Sequence, residues 1–363
     1  MDFTLSPSQQ LLVATARDVL GEHCPPETAQ RLALDPRGFD DALWRRMAEL
    51  GWPGLLIPGD FGGSDGSLLD AILLVEEMGR VGLPGPYVTS AVVATSLLIA
   101  AGTAEARTRL LPALATGERI ATLALVEDGG SFDPRVLALG CEVPGRLTGR
   151  KLFVKDAHVA SDLVVVLRGG DLLLLPADRA GIARLPLDTL SGEKLFEVTF
   201  DGVEVRAQDG CVRSTDALAA ALTAGALART AEMVGAAQRV LELAVEHART
   251  RVQGGRPIGG YQAIQHACAD LVRDVDTSRG LLYSAAWKLD TGAPAAADVA
   301  MAKAYAGEAC LAVARRGHQI FGAIGYCDEH SMHRLHKRIL AASLDCGDVP
   351  THLETVARSI GLV

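Results

Sequence analysis

The stretch Arg251-Val252-Gln253-Gly254-Gly255-Arg256-Pro257-Ile258-Gly259-Gly260-Tyr261-Gln262 divides two long helical patterns, residues 214–251 and 261–289. Its glycines and proline break the helical period, so a short irregular connection is expected between two bundle helices. Three more helical patterns follow, at residues 295–320, 331–344 and 351–359. Their lengths suit a four-helix bundle. A second glycine-bearing string, Gln319-Ile320-Phe321-Gly322-Ala323-Ile324-Gly325-Tyr326, closes the 295–320 pattern.

Upstream of the bundle the texture changes. Residues 120–126, 163–167 and 172–175 are short β-prone runs, and Gly169-Gly170-Asp171 between the last two is a hairpin signal. Phe196, Val198 and Phe200 alternate with Glu197, Thr199 and Asp201, which gives a strand one buried and one wet face. A small antiparallel β-domain is expected there. Before it, Ser6-Pro7 reads as a helix start, with a hydroxyl cap and a proline in the first turn. Leu12, Ala16, Val19 and Leu20 then share one helix face, and residues 39–50, 68–78 and 104–115 continue the helical pattern. The chain therefore reads as α+β in three segments: a helical domain over 1–118, a β-domain over 119–208 and a helical bundle over 209–363.

With 49% hydrophobic and 22% charged residues, the 363-residue chain can bury a substantial core. A net charge of −9 argues against a polyanion-binding surface, so neither nucleic acid nor an anionic membrane is expected as a partner. The start Met1-Asp2-Phe3-Thr4 lacks the pattern of a secretory signal, and the apolar run over 217–228 is shorter than a membrane span. Cys24, Cys141, Cys211, Cys268, Cys310, Cys327 and Cys346 contain no Cys-x-x-Cys pair, which suits free thiols in a reducing cytoplasm. His330, His333 and His336 cluster beside Asp328 and Glu329, but none has the i, i+4 spacing of a helical zinc pair. They read as decoration of a helix surface, with His333 and Arg334 placed to meet a phosphate.

The strings at the joints of these segments resemble the acyl-CoA dehydrogenases over nearly the whole chain. Leu50-Gly51-Trp52-Pro53-Gly54, Pro58-Gly59-Asp60-Phe61-Gly62-Gly63 and Glu76-Glu77-Met78-Gly79 are similar to that family's N-terminal helix, glycine loop and following helix. Leu147-Thr148-Gly149-Arg150-Lys151, then Ala157, Ala160 and Asp162, match its strand-turn signature, and the two bundle strings match most specifically. The resemblance implies an FAD-dependent enzyme that introduces an α,β double bond into an acyl-CoA thioester. It also implies that Arg251, Gln262, Gln319, Ile320, Phe321, Gly322 and Ala323 bind the adenosine and pyrophosphate half of a FAD whose flavin sits in a neighbouring subunit. An arginine suits a pyrophosphate because its planar fork makes paired charge-assisted hydrogen bonds. A glycine at 322 lets backbone approach the cofactor.

Other positions depart from the family. Where its catalytic glutamate stands, this chain has Cys346, and the family's alternative position falls on Gly225. Nothing basic adjoins Cys346 in sequence to activate its thiol. Asp345 is the nearest carboxylate and the one weak candidate for the base, although one residue's offset turns a helical side chain by about 100°. Glu232 reads as a structural or surface carboxylate. Asp348 and Pro350 replace a threonine and a glutamine of the family's pattern, Val126 removes a flavin-contacting hydroxyl, and Phe153-Val154-Lys155 replaces Trp-x-Thr and adds a cation near the flavin edge.

What is kept belongs to a half-site that reaches a neighbour's cofactor, and what is altered belongs to the chain's own flavin and substrate pocket. This pattern resembles the base-lacking subunit of heteromeric, steroid side-chain type dehydrogenases of actinobacteria. It implies an α2β2 heterotetramer with a homologous subunit, an acyl-CoA substrate and an electron-transferring flavoprotein as acceptor. Two other readings stay open: a self-sufficient homotetramer with a non-standard base, and a non-catalytic acyl-CoA-binding or scaffold protein on the same fold.

Overall fold

The computed structural model describes residues 4–210 and 214–363. Met1 to Phe3, part of the start read for a signal, and Cys211 lie outside the described residues. In chain order the elements are α1 (Pro7–His23), α2 (Pro26–Leu34), α3 (Asp41–Glu49), α4 (Leu68–Val81), α5 (Thr95–Ala101) and α6 (Ala104–Ala115). Then come β1 (Ala121–Ala124), β2 (Gly145–Lys155), β3 (Asp162–Val166), β4 (Leu172–Pro176), β5 (Ile182–Leu187) and β6 (Leu195–Val205). The remainder is α7 (Thr215–Thr250), the short hairpin β7 (Val252–Gln253) and β8 (Arg256–Pro257), α8 (Gln262–Asp290), α9 (Ala296–Phe321), α10 (Met332–Leu344) and α11 (Val349–Ser359). These form two compact units, one from Leu32–Ser67 and Pro84–Gly225, the other from the chain up to Arg31 with Leu68–Leu83 and Ala226–Val363.

The first of these units holds both three-stranded sheets, with strand orders β1-β3-β4 and β2-β6-β5. The expected hairpin is present: β3 and β4 pair antiparallel with Val166 opposite Leu172, and Gly169 and Gly170 take the positive φ that the turn requires. Phe196, Val198 and Phe200 are buried and their alternates are not, as the period of two demands. The antiparallel expectation needs one correction, because β1 runs parallel to β3. The two are separated along the chain by β2 and its loop, so the connection has the length a parallel crossover needs. A buried π-helical stretch, Tyr87–Ala94, was not legible in the sequence. Its Ser90 hydroxyl accepts from the Ala121 N–H at 3.1 Å and so ties the stretch to β1.

In the other unit, α1 opens on a capping box in which the Ser6 hydroxyl accepts from Gln9 N–H at 3.2 Å and the Gln9 side chain accepts from Ser6 N–H at 3.0 Å. α4 crosses α7 at backbone contact through two glycines. A Cβ on Gly79 would stand 2.3 Å from the Glu232 carbonyl oxygen, and one on Gly235 would stand 1.9 Å from that of Glu76. The Glu76-Glu77 pair beside this crossing is bound on both sides. Glu77 takes Arg17 of α1 at 2.6 Å, and Glu76 takes Arg279 at 2.8 Å and the Tyr283 hydroxyl at 2.7 Å, both from α8. α9 packs against α8, α10 and α11, so the last helix adds a fifth member to the expected four-helix bundle. α7 has the length and hydropathy of a membrane span, unlike the short run read from sequence, and 78% of its most apolar window is buried within the fold. That is the condition of a core helix. None of the six described cysteines forms a disulfide.

Candidate functional site

The two strings that announce the bundle are brought together by one ring contact. His247, a turn before the end of α7, stacks on Phe321 at 4.4 Å between centroids with 27° between planes. The Arg251 N–H closes the helix on the His247 carbonyl at 2.8 Å, and the Arg251 carbonyl accepts from Ile258 N–H at 2.8 Å. Between these bonds runs the β7–β8 hairpin. Gly254 and Gly255 turn it with φ of 61° and 81°, and a Cβ on Gly254 would stand 2.3 Å from the Tyr261 hydroxyl oxygen. Tyr261 fastens the hairpin by donating to the Gln253 carbonyl at 3.0 Å while the Arg256 guanidinium lies 4.1 Å above its ring.

Arg251 is thus fixed through its backbone and exposed at its side chain, where the guanidinium has no hydrogen bond or ion pair among the described residues. Gln262 is exposed at the first position of α8. Gln319, Gly322 and Ala323 are exposed at the end of α9. Gly322 has φ 66° and ψ −143°, a conformation confined almost to glycine, and a Cβ there would meet nothing within 4 Å. An unspent guanidinium and open space over a glycine backbone fit an anionic cofactor. Two members of the expected set have their side chains engaged within the fold: Ile320 is buried as core, and the Phe321 ring stacks on His247 and meets His330 at a tilt. Both side chains thereby help to position the turn.

The histidines are not surface decoration. His318 is 2% exposed, stacks on Tyr326 at 4.2 Å and meets His336 at 5.1 Å, and His330 lies 4.5 Å from Phe321. Arg334 is likewise engaged, donating to the Pro26 carbonyl at 2.8 Å.

Cys346 stands in the loop between α10 and α11 with φ 55°. Nothing basic adjoins it in the sequence, but the fold brings a cation to its loop. The Lys303 ammonium of α9, only 1% exposed, donates to the carbonyls of Ala342 and Ser343 at 2.9 Å each and of Gly347 at 3.2 Å. It closes the C-terminal end of α10, where carbonyls are otherwise unmatched. Burial pulls its pKa down to about 8, with the neighbouring Cys346 and Asp345 opposing. His352 completes the clamp, its Nε2 3.1 Å from the Cys346 carbonyl oxygen.

Each carboxylate around this position is already held. Asp345 takes the Arg229 Nε at 2.7 Å and the Cys346 N–H at 3.0 Å. Glu232, 5% exposed and so not a surface group, bridges Arg229 at 2.5 Å and Arg338. Asp348 caps α11 by accepting from the Thr351 N–H at 3.0 Å and hydroxyl at 2.5 Å, with Pro350 in that helix's first turn. Gly225, at the alternative position, is a buried residue within α7.

In the β-containing unit, Glu127 organises the loop after β1. It takes the fully buried Lys151 at 2.7 Å and the N–H groups of Ala138 and Leu139 at 2.6 and 3.1 Å. Lys151 and these N–H groups hold the Glu127 carboxyl below its ordinary range although burial opposes them. Val126 is buried, and its carbonyl accepts from Leu152 N–H at 2.8 Å. Phe153 is 51% exposed at φ 54°, where the β2–β6 register shifts. The cation of Lys155 is matched by Glu193 at 3.1 Å, a partner the sequence did not suggest.

Residues 6–118 match the model of the acyl-CoA dehydrogenase N-terminal domain and residues 215–361 that of the C-terminal domain. The acyl-CoA dehydrogenase IpdE2 of Mycobacterium tuberculosis is 30% identical over 91% of this chain and 90% of its own. The chain belongs to the acyl-CoA dehydrogenase family. It is an FAD-dependent oxidoreductase of the class acting on CH–CH bonds. Among solved structures, the ChsE4–ChsE5 complex of M. tuberculosis aligns over 100% of both chains with TM-score 0.92 and 29% identity. A variant of the steroid ACAD Tcur3481–Tcur3483 aligns over 98% of both with TM-score 0.88 and 29% identity. The helical, β and helical order expected from the sequence is thus the family's own.

Proposed function

We propose that this chain is the base-lacking subunit of a heteromeric acyl-CoA dehydrogenase and completes the FAD site of a homologous partner in an α2β2 assembly. The observation that carries the reading is the chemistry at Cys346. No carboxylate stands there, and Asp345, Glu232 and Asp348 are each engaged in ion pairs or a helix cap. A carboxylate locked against a guanidinium is a poor proton acceptor, because the pairing stabilises its charged form. The α-proton of the acyl-CoA thioester is therefore removed by the partner's base.

Bound FAD supplies the hydride-accepting chemistry. This chain's part is to hold the cofactor: the Arg251 guanidinium neutralises pyrophosphate charge, and Gly322 with Ala323 offers backbone at close range. Kinship with the ChsE4–ChsE5 complex and the steroid ACAD supports a heteromer acting on acyl-CoA thioesters of steroid side chains. An electron-transferring flavoprotein then reoxidises the assembly, in the cytoplasm.

The test is to purify the chain alone and after co-expression with homologous dehydrogenases, and to count flavin in each. Little flavin and no turnover alone, with one FAD per pair of unlike chains together, supports the reading. One FAD per chain and full turnover without a partner sinks it in favour of a homotetramer. Acyl-CoA binding with no flavin reduction beside any partner leaves a scaffold.

A further inference from the structure

The turn Gly322–Tyr326 is gripped from both sides by imidazole rings. On one side Phe321 lies between His247 of α7 and His330 of the following loop, at 4.4 and 4.5 Å. On the other, His318 of α9 stacks on Tyr326 at 4.2 Å with 18° between planes, and His336 of α10 meets it at 5.1 Å. A Cβ on Gly325 would stand 3.2 Å from His318 Nδ1, so ring and turn are in backbone contact. His318 Nδ1 is buried without a partner among the described residues, whereas His330 Nδ1 accepts from the Met332 N–H at 3.2 Å, a bond that protonation would break. The rings hold the turn by ring contacts, stacked for His247 and His318 and tilted for His330 and His336.

The charges facing them are nearly all positive. α7 contributes Arg239, and the residue just beyond that helix is Arg251; α9 contributes Arg315, and α10 His333 and Arg334, with Lys337 acting on His333. Against these stand Asp328, 92% exposed and 3.8 Å from His333, and Glu27 of α2, which acts on Arg334. Arg239 is in turn paired with Glu242 at 3.3 Å, but among the described residues no carboxylate pairs with any of the four rings, so a proton added to one enters a half-buried cluster dominated by cations.

We propose that His247, His318, His330 and His336 are positioning residues for the Gln319–Tyr326 turn, and that acid loosens the turn by charging them. Burial first, and then mutual repulsion, lowers the pKa of His318 and His330 below the ordinary 6.5, and burial with a neighbouring arginine does the same for His247 and His336. The sign follows. Groups whose folded pKa is depressed contribute full stability above 6.5 and lose it as pH falls, because the loosened turn binds protons that the packed turn refuses. This deepens the reading of the turn as an FAD half-site and rests on it only for the consequence that FAD leaves faster in acid.

Amide hydrogen exchange of residues 322–331 on the full chain tests the device without any cofactor. Protection factors, corrected for the intrinsic pH dependence of exchange, are expected to fall at least tenfold between about pH 7.5 and 5.5. In the double variant His247→Phe, His330→Phe the two rings against Phe321 are kept but cannot titrate, while His318 and His336 still can, and the fall is expected to shrink to about threefold or less. An equal fall in that variant overturns the proposal. Should the variant not fold, the wild-type chain still decides: protection that is flat with pH overturns the proposal, as does a fall whose midpoint coincides with none of the imidazole titrations followed by NMR. The FAD off-rate of the co-assembled enzyme is read over the same interval. If exchange accelerates with acid while the off-rate stays constant, the histidine device stands and the half-site reading fails.

Discussion

Removing the buried cation beneath the base position tests the architecture around Cys346 most directly. Lys303 has its pKa pulled from 10.5 to about 8. At about 1.4 kcal/mol per pKa unit, this penalises the native state by about 3 kcal/mol at neutral pH. Below pH 8 both native and unfolded chains carry the proton and the whole penalty is felt. Above pH 10.5 neither carries it and the penalty is gone. Between those limits the unfolded chain binds more protons, so stability rises with pH. In Lys303→Met the side chain keeps its bulk and loses both donor and titration. The offset between the two proteins at neutral pH mixes relief of the penalty with the loss of donors to the Ala342, Ser343 and Gly347 carbonyls. The slope isolates the titration. From urea unfolding at about pH 8 and 9.5, the wild type should gain about 2 kcal/mol relative to the variant. Groups that Lys303 does not touch electrostatically, the tyrosines included, cancel in this difference, whereas Cys346, which is coupled to Lys303, is followed separately as Cys346→Ser in both backgrounds. Parallel stability profiles would refute the assignment of Lys303 as a charged, buried clamp of the Cys346 loop.

Three further outcomes are expected. Arg251→Ala in the co-assembled enzyme should weaken FAD binding about 10- to 100-fold, the worth of a charge-assisted contact, while leaving the melting of the lone chain unchanged; equal affinity by fluorescence titration counts against the half-site. Asp345→Asn should destabilise the chain by about 2–4 kcal/mol, because it strips a partner from the buried Arg229, yet the folded co-assembled variant should retain its turnover per FAD. A large loss of turnover in a fully assembled sample makes Asp345 the base after all. Gly322→Ala should cost about 1–3 kcal/mol, seen as a lowered Tm, because φ 66° with ψ −143° is strained for any side chain even where there is room for one.

Much of the fold was written locally. Helix limits follow from periodicity, caps and glycine breaks, and the expected residues 104–115 coincide with α6. The hairpin at Gly169-Gly170 and the alternation at Phe196 to Phe200 are likewise short-range signals. The half-site was legible because its glycines and arginine lie in two continuous strings, each with a backbone shape of its own. That Ile320 is core and Phe321 meets two imidazoles was not legible, since a motif marks a segment without saying which of its side chains turn inward.

The sequence by itself determined the family, the order of helical and β segments and the absence of a carboxylate at Cys346. Only the tertiary structure decided what surrounds that absence. Lys303 arrives from α9, Arg229 and Glu232 from α7, and Arg338 from α10. Lys155 finds Glu193 across a loop, and four histidines from three helices and a connecting loop close on one turn. These partners are far apart along the chain, and no local period or cap encodes their meeting. Packing fixes it, because a buried charge must be matched where the folded chain places it.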